Sequence, residues 1–287
     1  MQLDLFAHSR DVMLRNDVIA SLRRRDAAAG RQDLAVLRAE YPGDSFLASA
    51  NALLDVLAVP CERFPDHDTA ADALRAMDAV VTSANRVFGT EEARDWLAPV
   101  WRSLAHAAKG LSFDAGKPQT HAASMLLQGS DWAAAEEQVA SIASWRRISA
   151  PLAWMAEARF GQGGLDTAWC LLVELAWIDA SAFSALARRL EAPPLQKLLD
   201  DFDVGFEAGG EADPAWFPAW ALIVEPGLAA VFRQAQACHD TAPERGARLV
   251  MELFGLERQG RHADLVAQRK RLRDLHAGLF SLYMSTR

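Results

Sequence analysis

The stretch that decides the fold runs from residue 128 to residue 175 and reads QGSDWAAAEEQVASIASWRRISAPLAWMAEARFGQGGLDTAWCLLVEL. Its apolar residues recur every three or four positions, which is the spacing of a helix with one buried face. Two such stripes are Trp132, Ala135, Val139 and Ile142, and then Leu152, Met155, Ala156 and Phe160. The sequence shows no sustained two-residue alternation of the kind that strands require. It therefore predicts an all-α fold.

Glycines separate these apolar stripes at regular intervals. The pairs Gln128-Gly129 and Gln162-Gly163 lie 34 residues apart, which is the tetratricopeptide period. Gln259-Gly260 is a third pair, and Gly30, with Ala35 five residues later, fits the same scheme. We expect each glycine to take the left-handed turn between two antiparallel helices. The chain thus resembles tetratricopeptide-like repeat proteins, which implies antiparallel helix pairs in an α-α superhelix.

We expect one continuous helical repeat domain over residues 9–287, preceded by a flexible tail of residues 1–8 that ends where Ser9 can cap the first helix. Helices of irregular length are predicted at 69–88 and 91–108. A turn is predicted at residues 41–44, where the sequence reads Tyr-Pro-Gly-Asp. Residues 113–118 and 204–214, rich in glycine and acidic residues, are predicted to be long loops.

Composition narrows the functional classes. The chain is 51% hydrophobic and 24% charged, as in a globular protein, and its net charge of −8 argues against direct binding of nucleic acid. The three cysteines form no CxxC or Cys/His cluster, so no zinc site, disulfide framework or cofactor is predicted. The N-terminus lacks the features of a secretory signal, and the longest apolar run is too short and too charged to span a bilayer. We expect a bacterial, cytoplasmic protein without membrane segments.

The most specific signal lies in the first residues. The sequence Gln2-Leu3-Asp4-Leu5-Phe6 matches, at every position, the pattern Q-L-[SD]-L-F by which bacterial polymerases, mismatch-repair proteins and initiation regulators attach to the replicative sliding clamp. The resemblance implies that Gln2 hydrogen-bonds the clamp backbone and that Leu3 packs at the rim of a pocket. It also implies that Leu5 and Phe6 enter an apolar cleft. A given window of average composition matches this pattern about once in a million.

The sequence therefore predicts a non-catalytic protein–protein interaction module, tethered to the bacterial DNA sliding clamp through residues 2–6 and acting in DNA replication or repair. A second, unidentified protein is expected in the groove of the helical array. Trp216, Phe217 and Trp220 are candidates for lining that groove, since aromatic rings are good anchors, although core packing explains them more simply. The alternative is a helical-repeat scaffold unrelated to DNA, whose N-terminus folds back as a structural cap.

Other candidate sites have simpler explanations. The dipeptides His67-Asp68 and His239-Asp240 resemble the His-Asp pair of helical metal phosphohydrolases, but no further histidine lies near them in the sequence, and a helix cap explains the first. Residues 161–164 lack the Lys-Ser/Thr of a phosphate loop. The basic clusters at 23–25 and 269–273 are expected on solvated faces rather than on DNA. No catalytic residue, metal ligand or enzymatic activity is predicted.

Overall fold

The computed structural model describes residues 10–58, 62–206, 213–236 and 240–287. These residues form sixteen α-helices and no strand, which confirms the predicted all-α fold. The helices are α1 Arg10–Arg23, α2 Ala27–Glu40, α3 Phe46–Ala58, α4 His67–Phe88, α5 Thr90–Ala108, α6 Ala122–Gln128, α7 Trp132–Ala140, α8 Ser149–Gly163, α9 Leu165–Ile178, α10 Ala180–Arg189, α11 Pro193–Gly205, α12 Phe217–Val224, α13 Ala229–Phe232, α14 Ala242–Gln259, α15 His262–Leu275 and α16 Ala277–Ser285. Short 3-10 helices lie at Pro118–Thr120, Trp145–Arg147, Pro214–Trp216 and Pro226–Leu228.

The chain divides into two compact units, with the boundary between Asp131 and Trp132. The single helical repeat domain predicted over residues 9–287 thus contains two compact units. In the first unit, α1 to α6 pack in chain order, each helix against the next. In the second unit, α7 to α10 do the same, as do α14, α15 and α16, while α12 packs against α14. Each unit is therefore an array of helices in which neighbours in sequence are mostly neighbours in space.

Each turn predicted from a Gln-Gly pair uses a residue with positive φ, but this residue is not always the predicted glycine. After α14, Gly260 adopts φ 68°, as predicted. After α8, Gly163 still belongs to the helix, and Gly164 takes φ 71° instead. After α6, Gly129 keeps φ −85° and Ser130 takes φ 53°. The Gln-Gly pairs thus locate the turns correctly to within one residue.

The predicted turn at Gly30 is wrong, because Gly30 lies inside α2. The chain reverses five residues earlier, where Arg25 holds φ 57° between α1 and α2. A Cβ atom on Gly30 would lie 2.6 Å from Leu54 Cδ2 of α3 and 3.5 Å from Ser21 Cβ of α1. Gly30 therefore serves the close approach of α2 to both neighbouring helices, a role that only the absence of a side chain permits.

The two long helices predicted at 69–88 and 91–108 are confirmed as α4 and α5. Helix α4 begins two residues early, because the Asp66 carboxylate accepts a hydrogen bond from Thr69 N at 2.8 Å and caps it. It ends where Gly89 adopts φ 79°. The predicted turn at 41–44 is also confirmed, with Asp44 N donating to the Tyr41 carbonyl. Of the predicted loop at 204–214, residues 207–212 lie outside the described residues.

Helix α12 is apolar and lies in the core of the second unit, where every residue from Phe217 to Ile223 is buried. It belongs to a bent pair, Pro214–Val224 with Pro226–Phe232, whose two arms meet at 106°. That pair passes for a membrane span by length and composition alone. Among the described residues, no single helix is both long and apolar enough to cross a membrane.

Close contact between α7 and α8 leads to a test by substitution. A Cβ atom on Gly161 of α8 would lie 2.4 Å from ring carbon Cδ2 of Trp132 in α7. We expect Gly161→Ala to lower the free energy of unfolding by about 1–3 kcal/mol, because overpacking outweighs the better helix propensity of alanine. Urea unfolding of the purified protein measures the change.

Gly255→Ala in α14 is the matched control, because no atom lies within 4 Å of a Cβ atom at that position. It is expected to raise the free energy of unfolding by up to about 1 kcal/mol. Equal effects at the two positions would contradict the close approach of α7 and α8.

Candidate functional site: two clefts on different faces of α4

The predicted clamp-binding residues Gln2, Leu3, Asp4, Leu5 and Phe6 lie outside the described residues, so their roles stay predictions. The described chain begins with Arg10, the first residue of α1. The Arg10 guanidinium pairs with the Glu40 carboxylate of α2, with 2.9 Å between Nη2 and Oε1. This ion pair links the first residue of α1 to α2. Three residues separate Arg10 from the end of the pentapeptide.

Two of the three predicted groove aromatics are core residues. Phe217 is 1% exposed and Trp220 is 4% exposed, and both rings make edge contacts with the buried ring of Phe202, at centroid distances of 5.6 and 5.4 Å. Trp216 is half-buried, with its ring 4.4 Å from the His276 imidazole. These rings stabilise the interior of the second unit. Phe217 and Trp220 therefore cannot line a groove on its surface.

The basic clusters are largely engaged within the fold. Arg23 of α1 donates to the Glu92 carboxylate of α5, with 2.6 Å between Nε and Oε1. Arg269 of α15 pairs with Glu257 of α14 at 3.5 Å, and its guanidinium lies 5.6 Å from the centre of the Tyr283 ring. One arginine of each cluster is thus paired with a carboxylate of the same chain.

His67 and His121, which are far apart in the sequence, come together in the first unit. Thr120 Oγ1 donates to the Lys117 carbonyl at 2.7 Å, so its only proton is used. His67 Nδ1, 2.7 Å from the same hydroxyl, must therefore be the protonated nitrogen that donates to it. The contact with Thr120 gives His67 a hydrogen-bonding role at the start of α4. No sequence motif predicts that His67 and His121 lie close together.

His121 itself caps α6. It is 6% exposed, and its Nδ1 accepts a hydrogen bond from Ala123 N at 3.2 Å. Burial, and secondarily the nearby charge of His67, lower the pKa of His121 below its ordinary value. In the part of the chain that the structure describes, no group of three or more His, Cys, Asp or Glu side chains could hold a metal ion.

A cleft of 650 Å³ lies along one face of α4 and is bounded by α5, α6 and the segment before α6. We call it the amide cleft, after Gln119 and Gln128, whose exposed side-chain amides form no hydrogen bond with other described residues. Each side-chain amide offers two N–H donors and one carbonyl oxygen as an acceptor. The lining residues that face them include Leu74, Asp78, Val81, Trp101, Ser124 and Met125. This mixture of apolar surface and unused amides suits a segment that brings its own backbone N–H and C=O groups.

A second cleft, of 610 Å³, lies against a different face of α4. At about 100° of rotation per residue, its α4 residues lie roughly half a turn around the helix from those of the amide cleft. We call it the arginine cleft. Within the described ranges, its lining is apolar apart from Arg25 and Ser103. The apolar lining residues are Val56, Leu57 and Ala58 of α3, Ala73, Ala76, Met77 and Val80 of α4, and Pro99, Val100 and Leu104 of α5.

Comparison with known proteins gives no match, whether to protein-family models, to curated proteins or to solved structures. The arguments about function therefore depend on the residues and the geometry of this chain.

Burial of Trp220 leads to a direct test of its place in the core. We expect Trp220→Ala to lower the free energy of unfolding by about 3–5 kcal/mol, because it removes a buried indole. Val266→Ala, at a position that is 68% exposed, should change it by less than about 0.5 kcal/mol. Urea unfolding followed by circular dichroism measures both. If Trp220→Ala changed the free energy of unfolding as little as Val266→Ala does, Trp220 would be a surface residue.

The lowered pKa of His121 predicts a pH dependence. The unfolded imidazole titrates near pH 6.5 and the folded one titrates lower, so the unfolded chain binds more protons in between. The free energy of unfolding should therefore fall as pH falls from about 7 towards 5. His121→Asn keeps a cap acceptor and should weaken this dependence, as measured by urea unfolding at both pH values. An unchanged dependence in the variant would contradict the assignment.

Proposed function

We propose that this chain is a non-catalytic, cytoplasmic bacterial interaction protein that attaches to the DNA sliding clamp through residues 2–6 and acts in DNA replication or repair. The observation that carries the proposal is the agreement of Gln2-Leu3-Asp4-Leu5-Phe6 with the clamp-binding pattern at every position. Three residues then separate it from α1, whose first residue is tied to α2 by the pair between Arg10 and Glu40.

The energetics set the expected affinity. Full burial of Leu5 and Phe6 in a clamp cleft contributes about 1.5–3 kcal/mol for each side chain. The ordering of an extended segment and the loss of its translational freedom oppose this gain. The pentapeptide alone is therefore expected to bind no more tightly than the micromolar range. Such a tether holds the protein at the clamp reversibly and leaves the helical array to engage something else.

In this proposal the amide cleft holds the second protein. Its α4 wall extends from Ala71 to Thr82, which is about 16 Å of helix and matches about five residues of extended chain. An extended segment needs partners for its backbone, and Gln119 and Gln128 supply them. The leucine, valine and tryptophan side chains along the cleft would receive the apolar side chains of that segment.

The alternative is a scaffold unrelated to DNA, with the N-terminal segment acting as a cap on the first unit. Met13 of α1 and Val36 of α2 are large apolar residues with 47% and 43% exposure, and a covering segment would bury them. The ends of helical arrays need such cover. The clamp interpretation and the cap interpretation make opposite predictions for stability when Leu5 and Phe6 are removed.

Calorimetric titration of the full-length protein with a purified bacterial sliding clamp tests the proposal. We expect micromolar binding that is lost in the Leu5→Ala, Phe6→Ala double variant, with an unchanged melting temperature. The matched control is Val204→Ala with Val266→Ala, which removes apolar groups from two exposed positions in the second unit and should bind as the unaltered protein does.

Absence of clamp binding by the unaltered protein would overturn the proposal. If the double variant also melted at a lower temperature, Leu5 and Phe6 would be packed on the fold, and the capped scaffold would replace the clamp-tethered protein.

A further inference from the structure

Arg25 is held in place at the arginine cleft by two contacts with α5. Its Nη1 donates a hydrogen bond to the Trp96 carbonyl at 2.7 Å, and its guanidinium carbon lies 4.9 Å from the centre of the Trp96 ring. Trp96 is buried, and its own Nε1 donates to the Leu22 carbonyl of α1 at 2.8 Å. The cation is therefore fixed by packed groups at the edge of an apolar cleft.

Among the described residues, no carboxylate pairs with Arg25. Neighbouring arginines differ, since Arg23 pairs with Glu92 and Arg31 pairs with Asp55. Burial, and next the charge of Arg102, lower the pKa of the Arg25 guanidinium, and no carboxylate offsets them. A half-buried cation beside a second cation is costly unless an anion joins it.

The backbone at Arg25 carries a further cost. Its φ of 57° is the left-handed conformation that glycine adopts without strain and that other residues adopt at an expense of about 1 kcal/mol or more. An arginine occupies the position nevertheless.

The chemistry of the cleft selects the kind of ligand. An extended peptide would leave its N–H and C=O groups without partners, because Arg25 and Ser103 are the only polar lining residues in the part of the chain that the structure describes. An aliphatic chain has no such groups to satisfy. With Nη1 bound to the Trp96 carbonyl, the Nε and Nη2 edge of Arg25 has no partner among the described residues and matches the two oxygens of a carboxylate. A volume of 610 Å³ lies within the range of small-molecule sites.

We propose that the arginine cleft binds an aliphatic carboxylate of the fatty-acid class, with its carboxylate on Arg25 and its chain between α3, α4 and α5. The proposed site includes neither the lining of the amide cleft nor residues 2–6. Fatty-acid binding is therefore expected whether or not the protein binds a clamp.

Calorimetry of the full-length protein with dodecanoate, kept below its micellar concentration, tests the site. We expect saturable binding of one molecule per chain. Decanoate, two methylenes shorter, should bind more weakly, by about four-fold for each methylene that leaves the cleft. Dodecanol and dodecyltrimethylammonium carry the same chain without the negative charge and should bind at least ten-fold more weakly than dodecanoate.

Four variants locate the binding on the structure. Arg25→Gln should weaken dodecanoate binding about ten- to hundred-fold, the value of a charged hydrogen-bonded contact, and Arg25→Lys should retain part of it. Ala76→Trp places an indole in the arginine cleft from an exposed position on α4 and should abolish binding. Thr82→Trp, on the amide-cleft face of the same helix, is the control and should leave it unchanged. Melting temperatures establish that each variant is folded.

Three results would overturn the proposal. The first is equal affinity for dodecanoate and dodecanol, which would mean that Arg25 does not receive the head group. The second is unaltered binding to folded Ala76→Trp protein, which would place the ligand elsewhere. The third is binding to vesicles of an anionic phospholipid without binding to free dodecanoate, which would indicate a membrane surface rather than an enclosed chain.

Discussion

Packing of successive helices depends, at several connections within each unit, on a single residue with positive φ. Such residues are Arg25, Gly89, Gly164 and Gly260, after α1, α4, α8 and α14. Only glycine adopts this conformation without a steric penalty, so the turn at Arg25 is made against a cost that helix packing must offset. These turns allow a helix to bury its apolar stripe against the helix that follows it a few residues later. The clefts follow from the same constraint, because α3, α4 and α5 are brought side by side in chain order.

The amino-acid sequence predicts much of this arrangement and little of the candidate site. Apolar periodicity and the Gln-Gly pairs predict the helices and place the turns after α6, α8 and α14 nearly correctly, since both signals are local. Gly30 misleads because a glycine that permits close helix approach has the same sequence signature as one that permits a turn. The aromatic cluster at 216–220 is ambiguous for a similar reason, because buried and partner-binding tryptophans look alike without their neighbours. Both clefts arise from the spacing between packed helices and their loops, which no local pattern records.

The two clefts illustrate how the same helix can present unlike chemistry on different faces. On one face, Gln119 and Gln128 offer donors and acceptors that the fold itself leaves unused, so a ligand with a backbone gains hydrogen bonds there. On the other, Arg25 is the single charged lining residue among those that the structure describes, so a ligand gains only if its one polar group is an anion at one end. Selectivity in each case comes from the penalty for burying a polar group without a partner.

Helix α4 lies between the two clefts and lines both of them. Its 22 residues are capped at both ends, by Asp66 and by Gly89. A ligand that shifted α4 from one side would alter the width of the cleft on the other side. Thermodynamic linkage would then make the effect of each ligand on the affinity of the other equal in both directions.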